Sequence, residues 1–276
     1  MINQVITIFC VCDEVVQTFE IKDDTQCKMS TSEVMTFALT SALYYGCDYK
    51  KCRLFSKNFR FFRGILSHSQ LVRRIHLIPK CIWYMVFYAL QMLLRNSKNL
   101  DFIVDSFPVK AYENHKSFRA KIFSEKEYHG FTASKNQYFF GIKVHMIVDS
   151  EGIPIEFTFT PGSCSDIKAL MNMEVNLPEG ATLMGDRAYT NYQFEDQLLL
   201  QKEISLIAKR RKDLKRQHSP EKERKLQFER NKIETVFSSI VSRMPRNIRA
   251  RTEVGFCLKV IFFILAYMIN LSIPLN

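Results

Sequence analysis

Two short apolar runs that each end in an aspartate decide the fold of this chain: Leu100-Asp-Phe-Ile-Val-Asp105 and Ala181-Thr-Leu-Met-Gly-Asp186. Each run has the length and apolar content of a buried strand. A carboxylate at the end of such a strand is costly to desolvate unless a cation or a donor lies beside it. A third acid, Glu234, lies in an amphipathic stretch. Three such carboxylates in a basic chain indicate two divalent metal ions and phosphodiester chemistry.

The charge balance of the chain favours a polyanionic partner. Its 276 residues include 39 Lys and Arg against 28 Asp and Glu, which gives a formal charge of +11. Nucleic acid is the first partner that such an excess favours, and an anionic membrane surface is the second. The alternative is a merely soluble basic protein. With 47% hydrophobic residues the chain can bury a core, which excludes a disordered polymer.

The cysteines and the apolar segments predict a cytoplasmic protein. The eight cysteines form no CxxC pair, which disfavours a zinc site, and we expect reduced thiols. The N-terminus lacks the basic region of a signal peptide. The apolar run Val260–Ile269 is too short to span a bilayer, so we expect a buried terminal helix and no membrane partner.

Residues 1–97 are predicted to form an all-α N-terminal domain that binds DNA. Ser30 and Glu33 match a capping box at the start of one of its helices. From Tyr49 to Lys80 the chain has no acidic residue, and its basic residues alternate with phenylalanines. Such a segment suits a small helical module on a phosphate backbone, with Arg73 and Arg74 among the contacts. The alternative is the solvated basic face of an ordinary helical bundle.

Residues 98–276 are predicted to form an α/β catalytic domain. The pattern predicts a strand at Leu100–Ser106, a polar loop from Val109 to Asn136, and a hairpin of Gln137–Asp149 and Ile153–Thr160 with its turn at Gly152. Helix, strand, helix, strand and helix follow. The segment Lys209–Lys225 is expected to be charged and mobile, and the helix after it is expected to begin at Phe228.

This order of strands and helices is ribonuclease H-like, with a mixed five-stranded sheet and flanking helices. Asp105 ends the first strand and Asp186 the fourth, so neighbouring strands bring both acids to one edge. A helix that crosses this edge can supply the third carboxylate.

The third acid is assigned from helical periodicity. Ile233, Val236, Phe237, Ile240 and Val241 form an apolar stripe, and Glu234 lies at its border. Arg230 precedes Glu234 by one turn, so a simple surface ion pair is the alternative role for this glutamate. Glu229 is a rival ligand, because its position also falls within the stripe.

Five sequence blocks resemble the DDE transposases of bacterial insertion sequences, most closely the IS982 family. They run in order over about residues 100 to 250: Val104-Asp105-Ser-Phe-Pro-Val109, Gly141-Ile-Lys-Val-His145-Met-Ile-Val-Asp149, Thr160-Pro-Gly162 with Asp166, Gly185-Asp186-Arg-Ala-Tyr189-Thr, and Arg230-Asn-Lys-Ile-Glu234-Thr-Val-Phe. Many such transposases have Tyr three residues before the arginine of the last block and Lys seven after its glutamate. Gln227 and Val241 stand at those positions here.

The resemblance implies a site and its partners. The three acids of the family map onto Asp105, Asp186 and Glu234, which would hold two Mg²⁺ or Mn²⁺ ions. The expected substrate is DNA, both insertion-sequence ends and target, bound by a homo-oligomer near the bacterial nucleoid. Phosphate contacts are expected from a set of basic residues: Arg230, Lys209, Arg210, Arg211, Lys212, Arg243, Arg73 and Arg74.

Two other functions remain open from the sequence. One is a ribonuclease H-like nuclease or resolvase without strand transfer, which would use the same ligands. The other is a DNA-binding regulator with an inactive C-terminal domain, against which the intact acidic triad argues. His145 and Lys143 share one face of a strand, which is compatible with a role in the site or with packing.

Overall fold

The computed structural model of the chain describes residues 1–62, 64–95, 99–112, 121–132, 136–211 and 216–273. The chain divides into two compact units, residues 1–96 with 239–276 and residues 97–238. One site residue expected from the sequence, Lys212, lies outside the described residues.

The first unit is helical. Its helices are α1 (Ile2–Thr18), α2 (Thr31–Tyr45), α3 (Tyr49–Phe59), α4 (His68–Leu77), α5 (Lys80–Leu94) and α9 (Glu253–Ser272). α2 is buried along most of its length and contacts α1, α3 and α9. It begins with the capping box predicted from the sequence, since Ser30 Oγ accepts from the Glu33 amide at 3.1 Å. The Glu33 carboxylate accepts the Ser30 amide at 2.8 Å in return.

The compact units differ from the expected domain ranges at the C-terminal end. Residues 239–276 were assigned to the catalytic domain, but they group with the N-terminal helices. The physical reason is the burial of α9, which packs against α2 and α5. Its long apolar surface is removed from water in this helical unit. Whether residues 1–97 act as a DNA-binding domain stays a prediction.

Helix α9 is longer than the apolar run that predicted it. Its 20 residues are long and apolar enough to cross a membrane by length and composition. Within the structure, however, 72% of its apolar window is buried. A second candidate span among the described residues would need α4 and α5 together, and these are bent by 80°.

Among its described residues, the second unit contains one mixed sheet of six strands. The strands are β1 (Asp101–Tyr112), β2 (His129–Thr132), β3 (Gln137–Asp149), β4 (Pro154–Pro161), β5 (Thr182–Gly185) and β6 (Ser205–Ala208). β1 pairs with β3 in antiparallel and with β5 in parallel orientation. β3 also pairs with β2 and β4, both antiparallel, and β6 lies parallel to β5. The expected ribonuclease H-like fold is confirmed.

The sheet departs from the expected five strands in one region. The stretch from Val109 to Asn136 was predicted to be a loop, but β1 continues to Tyr112 and the short strand β2 lies within it. β2 is short and lacks an alternating apolar pattern, so periodicity could not identify it. Gly130 allows its close approach, because a Cβ there would lie 2.5 Å from the carbonyl oxygen of Gly162.

Three helices flank this sheet: α6 (Asp166–Asn172), α7 (Tyr192–Lys202) and α8 (Pro220–Arg243). α8 begins eight residues before the predicted start at Phe228, so part of the segment expected to be mobile is helical. Charged residues fill these first two turns, and they carry no apolar periodicity. A buried core on one side of the sheet includes Phe102, Val104, Ile147, Leu170, Leu183 and Leu198.

We expect Phe262→Ala in α9 to destabilise the protein by about 3 to 5 kcal/mol, the usual cost of emptying a buried phenylalanine site. The Phe262 ring is fully buried, and its centroid lies 4.5 Å from that of Trp83. Urea denaturation measures the change. Phe19→Ala is the matched control, because Phe19 is 48% exposed and its removal should cost much less. Equal losses of unfolding free energy in the two variants would contradict the burial of Phe262.

Candidate active site

Strand register brings two of the three predicted acids together. The parallel pairing of β1 and β5 ends at Val104 opposite Gly185. Asp105 and Asp186 are the next residues, and Asp186 keeps an extended conformation. Equivalent positions on neighbouring parallel strands point to the same face, with the strands about 4.8 Å apart. The two carboxylates therefore lie side by side where the pairing of β1 with β5 ends. Asp105 does not end its strand as predicted, because β1 stays paired with β3 as far as Tyr112.

Each aspartate is oriented by a backbone amide. Asp105 Oδ1 accepts a hydrogen bond from the Ser106 amide at 2.8 Å. Asp186 Oδ1 accepts from the Ala188 amide at 2.8 Å and caps the 3-10 turn at residues 187–189. In each residue the hydrogen bond engages one carboxylate oxygen. Both side chains are half-buried.

Ionisation of Asp105 is unfavourable in this position. Burial, together with the neighbouring charges of Asp186 and Asp166, raises the pKa of Asp105 to about 7. The amide of Ser106 and the guanidinium of Arg230 act in the opposite direction. An acid with this pKa is only partly ionised at neutral pH, so the site gains from a cation that stabilises the charged form.

A buried tyrosine lies behind the pair. The ring of Tyr189 is fully buried, and a Cβ at position 185 would lie only 3.0 Å from it. Burial, followed by the charges of Asp105, Asp166 and Asp186, raises the pKa of Tyr189 well above its usual value. Its phenol therefore stays protonated and neutral. The ring packs against Gly185, the last residue of the strand that precedes Asp186.

A second polar cluster lies on the opposite face of β1, and the sequence did not assign it a role. Asp166, at the start of α6, accepts from Ser106 Oγ at 2.8 Å and from Lys143 Nζ at 3.2 Å. His145 Nδ1 lies 3.6 Å from the same carboxylate, and its Nε2 lies 2.8 Å from Thr160 Oγ1. Burial lowers the pKa of His145 to about 4, so the ring is neutral at neutral pH. The shared face of Lys143 and His145 was the signal for this cluster.

Helix α8 lies along the face of β1 that carries Asp105. Lys225 Nζ binds Asp101 Oδ1 at 2.8 Å, and the ring of Phe237 lies 4.6 Å from that of Phe107. Asp101, Asp105 and Phe107 share this face because strand residues alternate. Arg230 lies between the two contacts and lowers the pKa of Asp105. The helix thus brings a cation to the acid pair.

The third predicted acid is not grouped with the aspartates. Glu234 is 59% exposed, and its Oε1 lies 3.6 Å from Arg230 Nη2. Its rival Glu229 is buried on the apolar stripe, where Lys232 Nζ lies 2.9 Å from its Oε2. Within the described ranges, no three His, Cys, Asp or Glu side chains are arranged to hold a metal ion. The role of Glu234 as the third ligand stays a prediction.

The donor chemistry of the acid pair fits a divalent cation. Asp105 and Asp186 offer only carboxylate oxygens, the ligands that Mg²⁺ and Mn²⁺ prefer. Burial raises the pKa of Asp105, so a bound cation would favour its ionised form. These two residues therefore fit a metal ion.

The predicted phosphate contacts in the second unit have different environments. Arg210 is buried, forms an ion pair with Glu195 and lies over the ring of Tyr192, 5.0 Å from its centroid. To contact DNA, this guanidinium would have to leave its pair with Glu195, and the DNA contact of Arg210 stays a prediction. Arg211 is exposed, and Lys209 is near the surface, with its Nζ 3.2 Å from Gln227 Oε1.

The predicted contacts in the first unit also differ. Arg73 is exposed on α4. Arg74 instead binds Asp23 Oδ1 at 2.8 Å through Nη2, and this nitrogen also lies 3.3 Å from Thr31 Oγ1. Arg74 therefore joins α4 to the segment before α2, and its predicted phosphate contact would compete with this pair. Arg243, half-buried at the end of α8, also belongs to the first unit.

The fold is a ribonuclease H-like sheet, with two aspartates at the point where the pairing of β1 and β5 ends. Residues 96–247 match the family described as "Transposase DDE domain", and this match covers more than half of the chain. The chain therefore belongs to the transposase DDE-domain family. It is a DNA transposase in this general sense.

A solved structure supports the fold. The piggyBac transposase, described as a synaptic complex with hairpin DNA, is similar with a TM-score of 0.52 and 11% sequence identity. The alignment covers 95% of this chain and 72% of that chain. At this identity the likeness establishes the fold alone. A comparison with curated proteins finds no significant match.

We expect Asp105→Asn to stabilise the metal-free protein above pH 7 by about 1 to 3 kcal/mol. The unfolded carboxyl loses its proton near 3.8 and the folded one near 7. The folded state therefore binds more protons in this window, and wild-type stability falls as the pH rises through it. Urea denaturation at pH 4 and pH 8 in EDTA measures the difference, which should be close to zero at pH 4.

Asp196→Asn is the control with the opposite sign. Asp196 is exposed and its pKa is lowered by hydrogen bonding to Arg216. Its stabilising contribution is present above its unfolded pKa and disappears on acidification through the folded pKa. This variant should therefore not be stabilised at pH 8. A pH-independent effect of Asp105→Asn would contradict the raised pKa.

Arg210→Ala should destabilise the protein by about 3 kcal/mol, because it leaves the buried Glu195 without its cation. Arg211→Ala, one residue further along, should leave stability within about 0.5 kcal/mol because this side chain is exposed. Urea denaturation of both variants provides the comparison. Equal stability of both would contradict the structural role of Arg210.

Proposed function

We propose that the chain catalyses metal-dependent DNA cleavage and strand transfer at the ends of an insertion sequence, as a member of the IS982 family. The observation that carries the proposal is the register of β1 and β5, which aligns Asp105 with Asp186. Family membership supports a transposase, and the resemblance of the five sequence blocks supports the IS982 assignment. The DNA-bound assembly would be a homo-oligomer.

The acid pair would hold the cofactor through oxygen ligands alone. Two Mg²⁺ or Mn²⁺ ions, when bound, would activate a water or a 3′ hydroxyl and stabilise the leaving oxygen. Asp105 and Asp186 would hold these ions. The amides of Ser106 and Ala188 fix one oxygen of each side chain, so the carboxylates are oriented before metal binds. Such preorganisation limits the entropy lost on binding.

Glu234 is proposed as the third ligand because of its place on α8. The helix is anchored to β1 by Lys225 on one side of Glu234 and by Phe237 on the other. Glu234 is exposed, and its interaction with Arg230 at 3.6 Å is long for an ion pair. A side-chain rotation is therefore inexpensive. Glu229, in contrast, is buried and engaged by Lys232.

Arg230 is proposed to bind the phosphate that reacts. Its charge acts on Asp105, and its side chain is 31% exposed, which leaves guanidinium donors accessible. Beside a metal-bound carboxylate pair, a planar guanidinium can donate two parallel hydrogen bonds to a phosphate. Lys209 and Arg211 would contact the flanking backbone.

The central test is cleavage of labelled duplex DNA that carries the sequences flanking the coding region. We expect cleavage with Mg²⁺ or Mn²⁺ and none in EDTA. Asp105→Asn, Asp186→Asn and Glu234→Gln should each reduce the rate by more than about 100-fold, since residues that only support metal ligands already cost about 10- to 100-fold. DNA binding should persist, because removing a carboxylate also removes repulsion from phosphates. Full activity in EDTA would overturn the proposal.

Glu229→Gln is the matched control for the third ligand. It replaces one carboxylate oxygen by an amide nitrogen, as Glu234→Gln does on the same helix, and it should retain cleavage. A loss of activity in Glu229→Gln with retention in Glu234→Gln would exchange the two roles. Denaturation curves of both variants separate a catalytic loss from unfolding.

A nuclease or resolvase without strand transfer is the alternative function. It would use the same carboxylates, so cleavage does not distinguish the two. Incubation of pre-cleaved ends with plasmid DNA provides the distinction. Joined products that depend on Asp105 support strand transfer, and cleavage without joining supports the alternative.

A further inference from the structure

Three phenylalanine rings form an exposed platform at the end of α3. The centroids of Phe55 and Phe59 lie 4.4 Å apart, and Phe61 lies 5.5 Å from Phe55 and 6.1 Å from Phe59. Phe59 and Phe61 are stacked with an interplanar angle of 26°. Phe59 is 64% exposed, whereas the other two rings are half-buried. We refer to these three residues as the aromatic platform.

The backbone after α3 builds this platform. Arg60 ends the helix in the left-handed conformation with φ of 51°. The Phe61 amide donates to the Ser56 carbonyl at 3.3 Å, so the chain turns back toward the helix. This turn brings Phe61 to the side of α3 that carries Phe55 and Phe59. The half-buried rings hold the platform in place, while the face of Phe59 stays open to solvent.

The charge around the platform complements a polyanion. The stretch from Tyr49 to Lys80 contains no Asp or Glu. Lys51 is exposed one helical turn before Phe55, and Arg60 directly follows Phe59 and is also exposed. A flexible strand with one phosphate per nucleotide can meet these cations while one of its bases covers the rings.

We propose that the aromatic platform binds an unpaired nucleobase of DNA by stacking on Phe59. Aromatic side chains combined with cationic ones form the usual recognition surface for single strands, because every base has a π-face. Bases inside an intact duplex are covered by their neighbours and cannot reach such a ring. The proposal rests on the proposed DNA substrate and adds a preference for strands with unpaired bases.

A lone exposed apolar residue is common and needs no partner. The platform differs from this case in two respects, since its rings support one another and the surrounding segment lacks acids. Phosphate contact alone would need only the lysines and arginines. Stacking explains why the exposed ring stands among them.

The experiment measures binding of the full chain to a 5′-labelled 20-nucleotide single strand by fluorescence anisotropy in EDTA. A second strand of equal length with abasic sites throughout keeps the phosphates and removes the bases. Phe59→Ala should weaken binding to the normal strand by roughly 5- to 100-fold, the effect of losing one stacked base. Its binding to the abasic strand should equal that of the wild type.

Three variants serve as controls. Phe19→Ala removes another exposed phenylalanine of the same unit and should bind both strands like the wild type. Phe59→Tyr keeps a ring and should retain most of the affinity. Lys51→Ala should weaken binding to both strands and reduce the slope of log affinity against log salt by about 0.7, whereas Phe59→Ala should leave the slope unchanged.

The outcomes separate this inference from the proposed function. Equal affinity of Phe59→Ala and wild type for the normal strand overturns the platform, and so does an equal loss on both strands. Cleavage in Mg²⁺ is measured with the same preparations. If Phe59→Ala weakens binding to the normal strand only, and the wild type does not cleave DNA, the platform is supported and the proposed function is not. If the wild type cleaves DNA and Phe59→Ala binds the normal strand like the wild type, the proposed function is supported and the platform is not.

Discussion

The pairing of β1 with its two neighbours is the constraint on which the site depends. Along one edge β1 pairs with β5 in parallel, and along the other it pairs with β3 in antiparallel orientation. The first pairing places Asp105 next to Asp186. The second places Ser106 opposite His145 and near the Asp166 cluster. A shift of β1 by one residue would exchange these faces, so one register determines both the acid pair and its support.

The sequence predicted those parts of the fold that follow from local patterns. β3 was predicted from Gln137 to Asp149 and has these bounds, because two apolar arms and a glycine turn mark a hairpin. The alignment of Asp105 with Asp186 followed from two similar strands that end in an acid. The capping box at Ser30 was also predicted from the sequence, because its two hydrogen bonds join residues only three positions apart.

The remaining features depend on contacts between distant residues, which no periodicity encodes. Arg210 was predicted to contact phosphate as part of the basic run at residues 209–212, but its side chain is buried beside Glu195 and Tyr192. Arg74 was assigned to DNA by composition, yet Asp23 binds it across 51 positions of the chain. The exposure of Glu234 and the burial of Glu229 depend on how α8 is rotated against β1. A helical wheel leaves such a border position undetermined.

The contact between Gly185 and Tyr189 has a consequence for how related sequences can change. A Cβ at position 185 would lie 3.0 to 3.2 Å from Tyr189, so any residue other than glycine forces the ring or the strand before Asp186 to shift by a few tenths of an ångström. Loss of the tyrosine would open a cavity in the buried core. Substitution at either position alone is therefore disfavoured. Gly185, Asp186 and Tyr189 should therefore be retained or replaced together. A Gly-Asp pair with Tyr three residues after the Asp would then locate the second acid in diverged homologues.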